Sequence, residues 1–428
     1  MAYRGLLFYG DTELINSRRT VAHILNGVRP LSLEVRHDDS WPHTARLLAH
    51  APYVMPDEAP WHTPGDPDSL EFAGVWPMSV DGLDTSTLSR EIVEGLGDGA
   101  TTGVTRFGSK QITITALLVA SSAAGAEFGL RWLTERLADA SDVGAGTSLR
   151  FLSAAPELDP DLTGVATRAA MAGRWRTLYQ VVTTAPPTVT GRFGFTRGQD
   201  TQASVFAVSW TMTALIPHVF HDPVVAIADS SLTGISTSTP TWTVAVDGEC
   251  DGGCTDTGAA VLVDPEAAAA ARVVRELTTV GSSGVCVPLE SKRIAQAVPA
   301  DPGRAARPDV VRVAVTTGAQ VARGLRLQIV PGTGIEAWEL AERCGALTEI
   351  GISYIPAGST LTLDGATGTA WCDTPEGRMD AAAVVRGSGG APWRFPLLDD
   401  IGSYGVLLDT PASLTELTVD AWTIARES

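Results

Sequence analysis

Residues 205–216 alternate between two kinds of side chain, and this pattern constrains the fold more than any other feature of the chain. In an extended segment, such alternation places large apolar groups on one face and small or hydroxyl groups on the other, as in a half-buried strand. The apolar face, which we predict to line a core, consists of Phe206, Val208, Trp210 and Met212. Similar runs of Val, Ile and Thr recur between clusters of Gly, Pro, Asp and Ser, so the sequence predicts a mainly β protein.

Other segments predict strands on the same grounds: 5–9, 111–119, 148–152, 177–184, 310–316, 325–330, 350–355, 359–363 and 414–422. One segment, Ala126 to Ala140, predicts a helix that lies on a sheet. Its apolar stripe, expected to face the core, consists of Leu130, Leu133 and Leu137. Phe128 and Trp132 fall on the flank of this helix, where we expect them to meet a loop or a neighbouring subunit. A second helix is predicted more weakly over Asp264 to Leu277, because Asp264 suits an N-cap.

The chain of 428 residues is long enough for two or three domains at about 150 residues each. A Ser- and Thr-rich stretch predicts a linker at 226–240, between a domain at 1–225 and a C-terminal region at 241–428. Prolines at seven positions between residues 37 and 83 predict a long loop, with no regular central strand or helix through most of it. A loop of that length is usually functional, and we expect an arm that reaches a neighbouring subunit.

The charge of the chain excludes some classes of partner. With 31 basic and 49 acidic residues, the formal net charge is -18, which repels phosphate backbones and anionic lipid surfaces. No apolar run approaches the roughly 18 residues of a spanning helix. Residues 1–10 lack the pattern of a signal peptide, so we expect production in the cytoplasm. We therefore expect neither a membrane partner nor specific nucleic-acid binding.

The common catalytic motifs are missing from the sequence. It contains no GxxxxGK[ST], HExxH or GxSxG pattern, which would indicate a phosphate loop, a zincin helix or a nucleophile elbow. Gly97, Asp98 and Gly99, followed by Gly103, are better explained by a flexible turn than by a dinucleotide loop, because no βαβ context surrounds them. We predict no catalytic residue, no cofactor and no enzymatic activity.

Cys250 and Cys254 form the strongest metal candidate, separated by three residues in an acidic, Gly-rich turn. No second pair of ligands completes a zinc site nearby. A plain acidic hairpin is favoured, with a local disulfide and a metal site as the alternatives. Five cysteines are few and odd in number, so free thiols are expected elsewhere.

The histidines offer only incomplete sites. His218 and His221 lie in a Pro-punctuated segment and are assigned a structural or solvent role, since two histidines alone do not complete a metal site. An acid and histidine cluster, with no nucleophile marked by the sequence, consists of His37, Asp38, Asp39, His43, His50 and His62. Paired acids for glycoside hydrolysis are defined by a spatial separation and stay open. Eleven tryptophans suit either core and interface packing or a sugar-binding face.

Several segments, taken in order, resemble the distal tail proteins of long-tailed, siphovirus-type phages, often called minor tail proteins in actinobacteriophages. YRGLLFYGDTELINSRR resembles their opening strands, and KQITITALLVASS, AEFGLRWLTERL and SLRFLSA resemble the strand, helix and strand of the ring-forming domain. RTLYQVVTTAPP and SVFAVSWTMTALIPHVFHDP are similar to its closing strands. IPAGSTLTLDG and GSGGAPWRFPLLDDIGSYGVLLD resemble the β-sandwich ending of such proteins.

The resemblance implies a fold and a set of partners. The N-terminal part would be a β-sandwich-like ring domain with one packed helix, and the C-terminal part a galectin-like or carbohydrate-binding-like β-sandwich. The partners would be copies of the chain, most commonly six in a ring, together with the tail tube protein and other tail tip or baseplate proteins. The protein would belong to the virion tail tip and be assembled in the host cytoplasm. Residues 240–345 have no counterpart in the short members of the family.

Three classes of function follow from these patterns. The favoured one is a structural ring that joins the tail tube to the baseplate or tip and supports host-adsorption proteins, with an acidic lumen as a further hypothesis. The alternative is a carbohydrate-binding adhesion protein whose C-terminal region contacts a glycan of the host cell wall. A hydrolase of cell-wall polymer is the third class.

Overall fold

The structure is a computed structural model, and it describes residues 3–26, 56–84, 87–94, 98–139, 147–153, 173–194, 204–231, 241–243, 286–288, 291–298, 309–332, 346–387, 390–398, 403–411 and 414–427. Most of these residues lie in antiparallel strands, so the predicted mainly β fold is confirmed. The chain divides into two compact units, residues 1–222 and residues 223–427.

The first unit contains the strands β1 to β12. Their bounds are β1 Tyr3–Tyr9, β2 Thr12–Asn16, β3 Phe72–Asp81, β4 Leu88–Ser89, β5 Ile92–Glu94, β6 Ala100–Thr102, β7 Arg106–Phe107, β8 Lys110–Ala120, β9 Thr147–Leu152, β10 Trp175–Phe193, β11 Ser204–Ala214 and β12 Val219–His221. The helices of this unit are α1 Ser17–Asn26, α2 Asp68–Glu71 and α3 Ala123–Asp139, with a short 3-10 helix at Pro56–Glu58.

Two sheets of the first unit share one strand. Sheet I has the order β2, β1, β9, β10, β12, and sheet II has the order β3, β8, β11, β10. Strand β10 pairs with β9 over residues 175–181 and with β11 over residues 181–193. It passes through Pro186 and Pro187, and its register with β11 shifts between Ala185 and Thr188. The sequence predicts only 177–184 as a strand here, because two consecutive prolines indicate a break; the irregular register accommodates them.

Helix α3 packs against sheet II and closes the core of the first unit. Apolar side chains from both sheets and from the helix form a single buried cluster. The predicted core residues Phe206, Val208, Trp210 and Met212 all lie in it, as do Leu133 and Leu137. Leu130 is only half-buried at its edge. The helix begins three residues earlier than predicted.

The expectation for the flank of α3 is only partly right. Phe128 and Trp132 do meet the stretch of residues 37–83, which we call the Pro-rich segment, since the rings of Trp132 and Trp61 lie 5.9 Å apart. Both side chains are nevertheless buried in the same core as the leucines, where they also approach Phe72. The backbone comes close at Gly129, where an added Cβ would lie 2.3 Å from the Phe72 ring. Glycine at this position lets the helix approach the sheet closely enough to bury the aromatic flank.

The segment predicted as a long Pro-rich loop, residues 37–83, contains regular structure in its last third. Helix α2 and strand β3 occupy residues 68–81, where the sequence predicts no element. Strand β3 tolerates Pro77 because, among the described strands, it pairs only with β8, and its register shifts between Pro77 and Ser79. Proline lacks the N–H that a central strand needs, and it is accepted at an edge or a bulge.

The second unit contains the strands β13 to β25. Their bounds are β13 Val224–Ser231, β14 Thr241–Thr243, β15 Cys286–Pro288, β16 Ser291–Val298, β17 Asp309–Thr317, β18 Ala322–Pro331, β19 Thr348–Ile355, β20 Thr360–Asp364, β21 Thr369–Thr374, β22 Gly377–Asp380, β23 Val385–Gly387, β24 Tyr404–Pro411 and β25 Leu417–Glu427. Strand β13 occupies the start of the predicted linker at 226–240, and residues 232–240 lie outside the described residues.

Two larger sheets of the second unit share one core. Sheet III has the order β13, β25, β17, β20, β21, β22, and sheet IV has the order β16, β24, β18, β19, β23. Alternate residues of both sheets meet in a buried apolar cluster, including Val313 and Leu363 from sheet III and Leu327 and Ile352 from sheet IV. This arrangement of two sheets across an apolar layer is that of a β-sandwich.

Candidate functional site: an exposed hairpin arm

Between β3 and β8 the chain leaves sheet II as a long two-stranded hairpin. We call this hairpin the arm; it comprises residues 87–94 and 98–108. Strand β4 pairs with β7, with Leu88 opposite Phe107. Strand β5 pairs with β6, with Ile92 opposite Thr102. Because β3 and β8 are adjacent antiparallel strands, the arm extends from the end of their pair.

A bulge lies in the middle of the arm. Between the two ladders, residues 90–91 of the first strand face residues 103–105 of the second, so the second strand has one extra residue. The amide of Gly103 donates to the carbonyl oxygen of Glu91 at 2.8 Å, and Nε of Arg90 donates to Oγ1 of Thr105 at 2.9 Å. A bulge of this kind bends a hairpin and increases its twist.

The arm exposes large apolar side chains. Five of them are between 36% and 82% exposed: Leu88, Ile92, Val93, Val104 and Phe107. Leu88 and Ile92 share one face of the first strand because they are four residues apart, and Phe107 joins them as the cross-strand partner of Leu88. A two-stranded hairpin alone is marginally stable in water, and a grouped exposed apolar surface marks an interaction site.

The base of the arm is held tightly. Gly82 has a φ of +98°, and an added Cβ there would lie 2.0 Å from the carbonyl oxygen of Gln111. Nζ of Lys110, which is buried, donates to the carbonyl oxygen of Leu83 at 3.1 Å. Burial lowers the pKa of Lys110, and the nearby charge of Asp84 opposes that shift. The backbone at the base therefore has little freedom to change the direction of the arm.

The arm also contacts the segment that carries His218. The rings of Phe107 and His218 lie 5.3 Å apart in an edge-to-face arrangement. His221 ends β12, opposite Arg176 of β10. The structure does not bring the two histidines together with further ligands: among the described residues, no group of three or more His, Cys, Asp or Glu could hold a metal ion.

Most of the other candidate residues are not described. Cys250 and Cys254 lie outside the described residues, as do His37, Asp38, Asp39, His43 and His50. His62 is half-buried in the Pro-rich segment. Cys372 is a buried free thiol, and burial raises its pKa. Within the described part of the chain, no helix has the length and apolar character needed to cross a membrane.

One local pattern in the sequence indicates the arm, and none indicates that it is exposed. Gly97, Asp98 and Gly99 predict a flexible turn, and Gly99, which has a φ of +112°, lies immediately before β6. The strands of the arm are only two or three residues long, so the alternation that marks longer strands is too short to recognise. Their exposure depends on how β3 and β8 place them, which no local pattern encodes.

Comparisons with known proteins give matches among solved structures, at low identity. No protein-family model matches the chain, and no curated protein matches it. Several chains of solved structures match, and three of them come from phage proteins. One is the Dit protein (gp 19.1) of phage SPP1, described as a paradigm of the hub adsorption apparatus in phages that infect Gram-positive bacteria. The identity is 9% and the TM-score 0.32, over 84% of this chain and 96% of that chain.

Two further similar chains come from the baseplate of phage P2 in its activated conformation. The chain from the structure with Ca is 8% identical with a TM-score of 0.37, and the match covers 83% of this chain and 90% of that chain. The chain from the structure with Sr is 8% identical with a TM-score of 0.33, over the same shares. These values give no residue of this chain a role.

Proposed function

We propose that the protein is a structural component of a phage tail tip, where identical copies form a ring that joins the tail tube to the baseplate or tip. The ring, commonly a hexamer in the family that the sequence resembles, would also support the proteins of host adsorption. The order of the segments over residues 1–225 supports the family, and the mainly β fold with one long helix on a sheet is compatible with it. This role requires no catalytic step.

The observation that carries the proposal is the exposed arm. Its apolar residues need a partner surface, and the tight base fixes the direction in which the arm points. In a closed ring, each subunit contacts its two neighbours through two different surface patches. The arm is one of these patches, and its apolar side chains form the buried centre of the contact.

A matching patch is available on the same unit. Over residues 183–193, strand β10 has a single ladder partner among the described strands, namely β11. A strand edge of this kind accepts a strand from another chain through main-chain hydrogen bonds. Phe193 lies at the end of this edge and is more than half exposed. We therefore place the arm of one copy along the β10 edge of the next.

The test is the oligomeric state of the purified full chain by mass photometry and electron microscopy. We expect a closed ring for the wild type and mostly monomers for a triple variant of the shared apolar face of the arm: Leu88→Ser, Ile92→Ser and Phe107→Ser. Removing three exposed apolar side chains should weaken association by at least about tenfold, because each contributes apolar area that the contact buries.

A matched control makes the test specific. The second unit offers three apolar side chains of similar exposure for the same substitution: Val321, Met379 and Leu397. The control triple variant should assemble like the wild type. A monomeric wild type, or a ring that survives the arm substitutions, contradicts the proposal.

Localisation needs a separate experiment. Antibodies against the chain should label the tail tip of intact particles in electron micrographs. Label on the capsid, or along the tail tube, would show that the protein has another place in the particle.

A further inference from the structure

Strand β22 forms one edge of sheet III and is exposed along its full length. Among the described strands it pairs only with β21, so the opposite side of its backbone has no ladder partner there. The residues of the strand, Gly377–Asp380, are all exposed, which leaves that side accessible to another chain. An open strand edge accepts a further strand through main-chain hydrogen bonds. We call this side of β22 the open edge.

The hydrogen bonds of the ladder show which backbone groups lie on the open edge. The amide of Ala381, which follows the strand, donates to the carbonyl oxygen of Ala370 in β21 at 3.0 Å. In an antiparallel ladder, residues that bond to the partner strand alternate with residues whose amide and carbonyl point to the other side. The amides and carbonyls of Asp380 and Arg378 therefore point away from β21 and are available to another strand.

The same two residues carry opposite charges on one face of the sheet. Met379 lies between them and is the cross-strand partner of Cys372, which faces the core. Because side chains alternate along a strand, Arg378 and Asp380 both project from the outer face of sheet III. The open edge thus places a positive and a negative side chain two residues apart, beside the backbone groups that would bond to a further strand.

Both charged groups have hydrogen-bonding capacity left for another chain. Arg378 donates to Asp373 through Nε at 2.7 Å and through Nη2 at 3.2 Å, and its guanidinium retains the N–H donors at Nη1. Asp380 accepts from the amide of Ala382 at Oδ1, over 2.9 Å, and its Oδ2 accepts no hydrogen bond from the described residues. An ion pair with another chain is therefore compatible with the contacts inside this one.

The open edge is complementary to a second copy of itself. When two β22 strands meet antiparallel about a twofold axis at Met379, Arg378 of each copy lies opposite Asp380 of the other, and their outward backbone groups exchange hydrogen bonds. Opposite charges on directly opposed residues stabilise a strand pair, and like charges destabilise it. A register shifted by two residues would place Arg378 opposite its own copy, so the charges favour one register. The two Met379 side chains, each 51% exposed, meet on the other face.

We propose that β22 is a self-recognition edge, through which the second units of two copies pair about a twofold axis. Such a contact is isologous, so each edge covers the other and no third copy can add to it. The pairing therefore protects an unpaired strand from growth into larger aggregates, which is the hazard of an open edge. Neighbours in a closed ring use two different patches, so this contact joins free chains or chains of separate rings and takes no part in ring closure.

The test is sedimentation velocity of the full chain at low salt and at concentrations up to about 300 µM, since a contact between two short strands is weak. Every chain carries the three arm substitutions of the ring test, so the compared chains differ only at the open edge. Arg378→Asp and Asp380→Arg each place like charges opposite one another, and each should weaken self-association by at least about tenfold. In an equimolar mixture of the two variants the facing charges are opposite again, and association should return to within about threefold of the parent.

Two further variants complete the design. Arg323→Asp makes the same change of charge on β18, where the guanidinium carbon lies 5.6 Å from the ring centre of Tyr354, and should associate like the parent. Asp380→Asn keeps the shape of the side chain and adds no repulsion, and should weaken association by about threefold. The inference is overturned if the parent shows no self-association, if Arg378→Asp associates like the parent, or if the mixture stays as dissociated as its two components.

Discussion

The packing of α1 against the Pro-rich segment buries His23 and changes its pKa. Its imidazole is buried and meets the ring of Trp61 edge to face, with the ring centres 5.7 Å apart. Nε1 of Trp61 donates to the carbonyl oxygen of Phe72 at 2.9 Å, which fixes the indole at the start of β3. Burial lowers the pKa of His23, and a backbone hydrogen bond with Phe72 opposes that shift. The neutral imidazole is therefore the form that suits the folded state.

This shift predicts how the stability of the first unit depends on pH. Because the pKa of His23 is lower in the folded state, the unfolded chain binds the proton more readily. The free energy of unfolding should be constant above the unfolded value of about 6.5 and fall as the pH drops from there through the folded pKa. Urea unfolding followed by tryptophan fluorescence at pH 7.5 and 5.5 measures the fall.

The variant His23→Gln removes the titrating group and should lose less stability between these two pH values than the wild type. His62→Gln, at a half-buried position of the Pro-rich segment, is the comparison variant that also replaces one histidine by glutamine. An equal loss of stability in His23→Gln and the wild type would mean that other groups cause the acid sensitivity.

At the scale of elements, the sequence predicts the helices and strands whose apolar pattern is long and regular. Helix α3 and strand β11 were placed within three residues of their bounds, because each repeats its period over at least ten residues. Strand β3 was missed, since Pro77 argues against a strand unless its edge position is known. The arm is not predicted because its strands are only two or three residues long and because the exposure of their side chains is decided by tertiary placement.

Two glycines of the arm allow the effect of a strained backbone to be distinguished from that of a steric clash. Gly82 and Gly99 both have positive φ, but only Gly82 would clash if it carried a Cβ. Gly82→Ala should therefore lower the free energy of unfolding by about 1–3 kcal/mol more than Gly99→Ala does. Urea unfolding of both variants measures the difference. Equal losses would show that the contact with Gln111 yields easily and that the base of the arm is not rigid.

At the scale of the whole molecule, the net charge opposes any assembly of identical copies. Each copy carries a formal charge of -18, so the electrostatic work of bringing copies together is unfavourable. The exposed contact residues of the arm are mainly apolar, and salt does not screen contacts between apolar side chains. An assembly held by the arm should therefore respond to salt in the direction opposite to one held by ion pairs.

We predict that the self-association of the full chain strengthens when NaCl is raised from 50 to about 300 mM, since the Debye length then shortens and repulsion between copies is screened. Mass photometry over a dilution series at each salt concentration gives the association constants. Weaker association at high salt would indicate an interface of ion pairs and would argue against the apolar arm as the contact.

Strand β10 belongs to sheet I at one end and to sheet II at the other, and it therefore couples the unfolding of the two sheets. The nineteen residues of β10 are continuous backbone shared by sheet I and sheet II, so separating one sheet strains the hydrogen bonds of the other. Unfolding of one sheet alone is therefore disfavoured. A force applied at one end of β10 would be felt along its full length, and the two sheets should come apart as a single event.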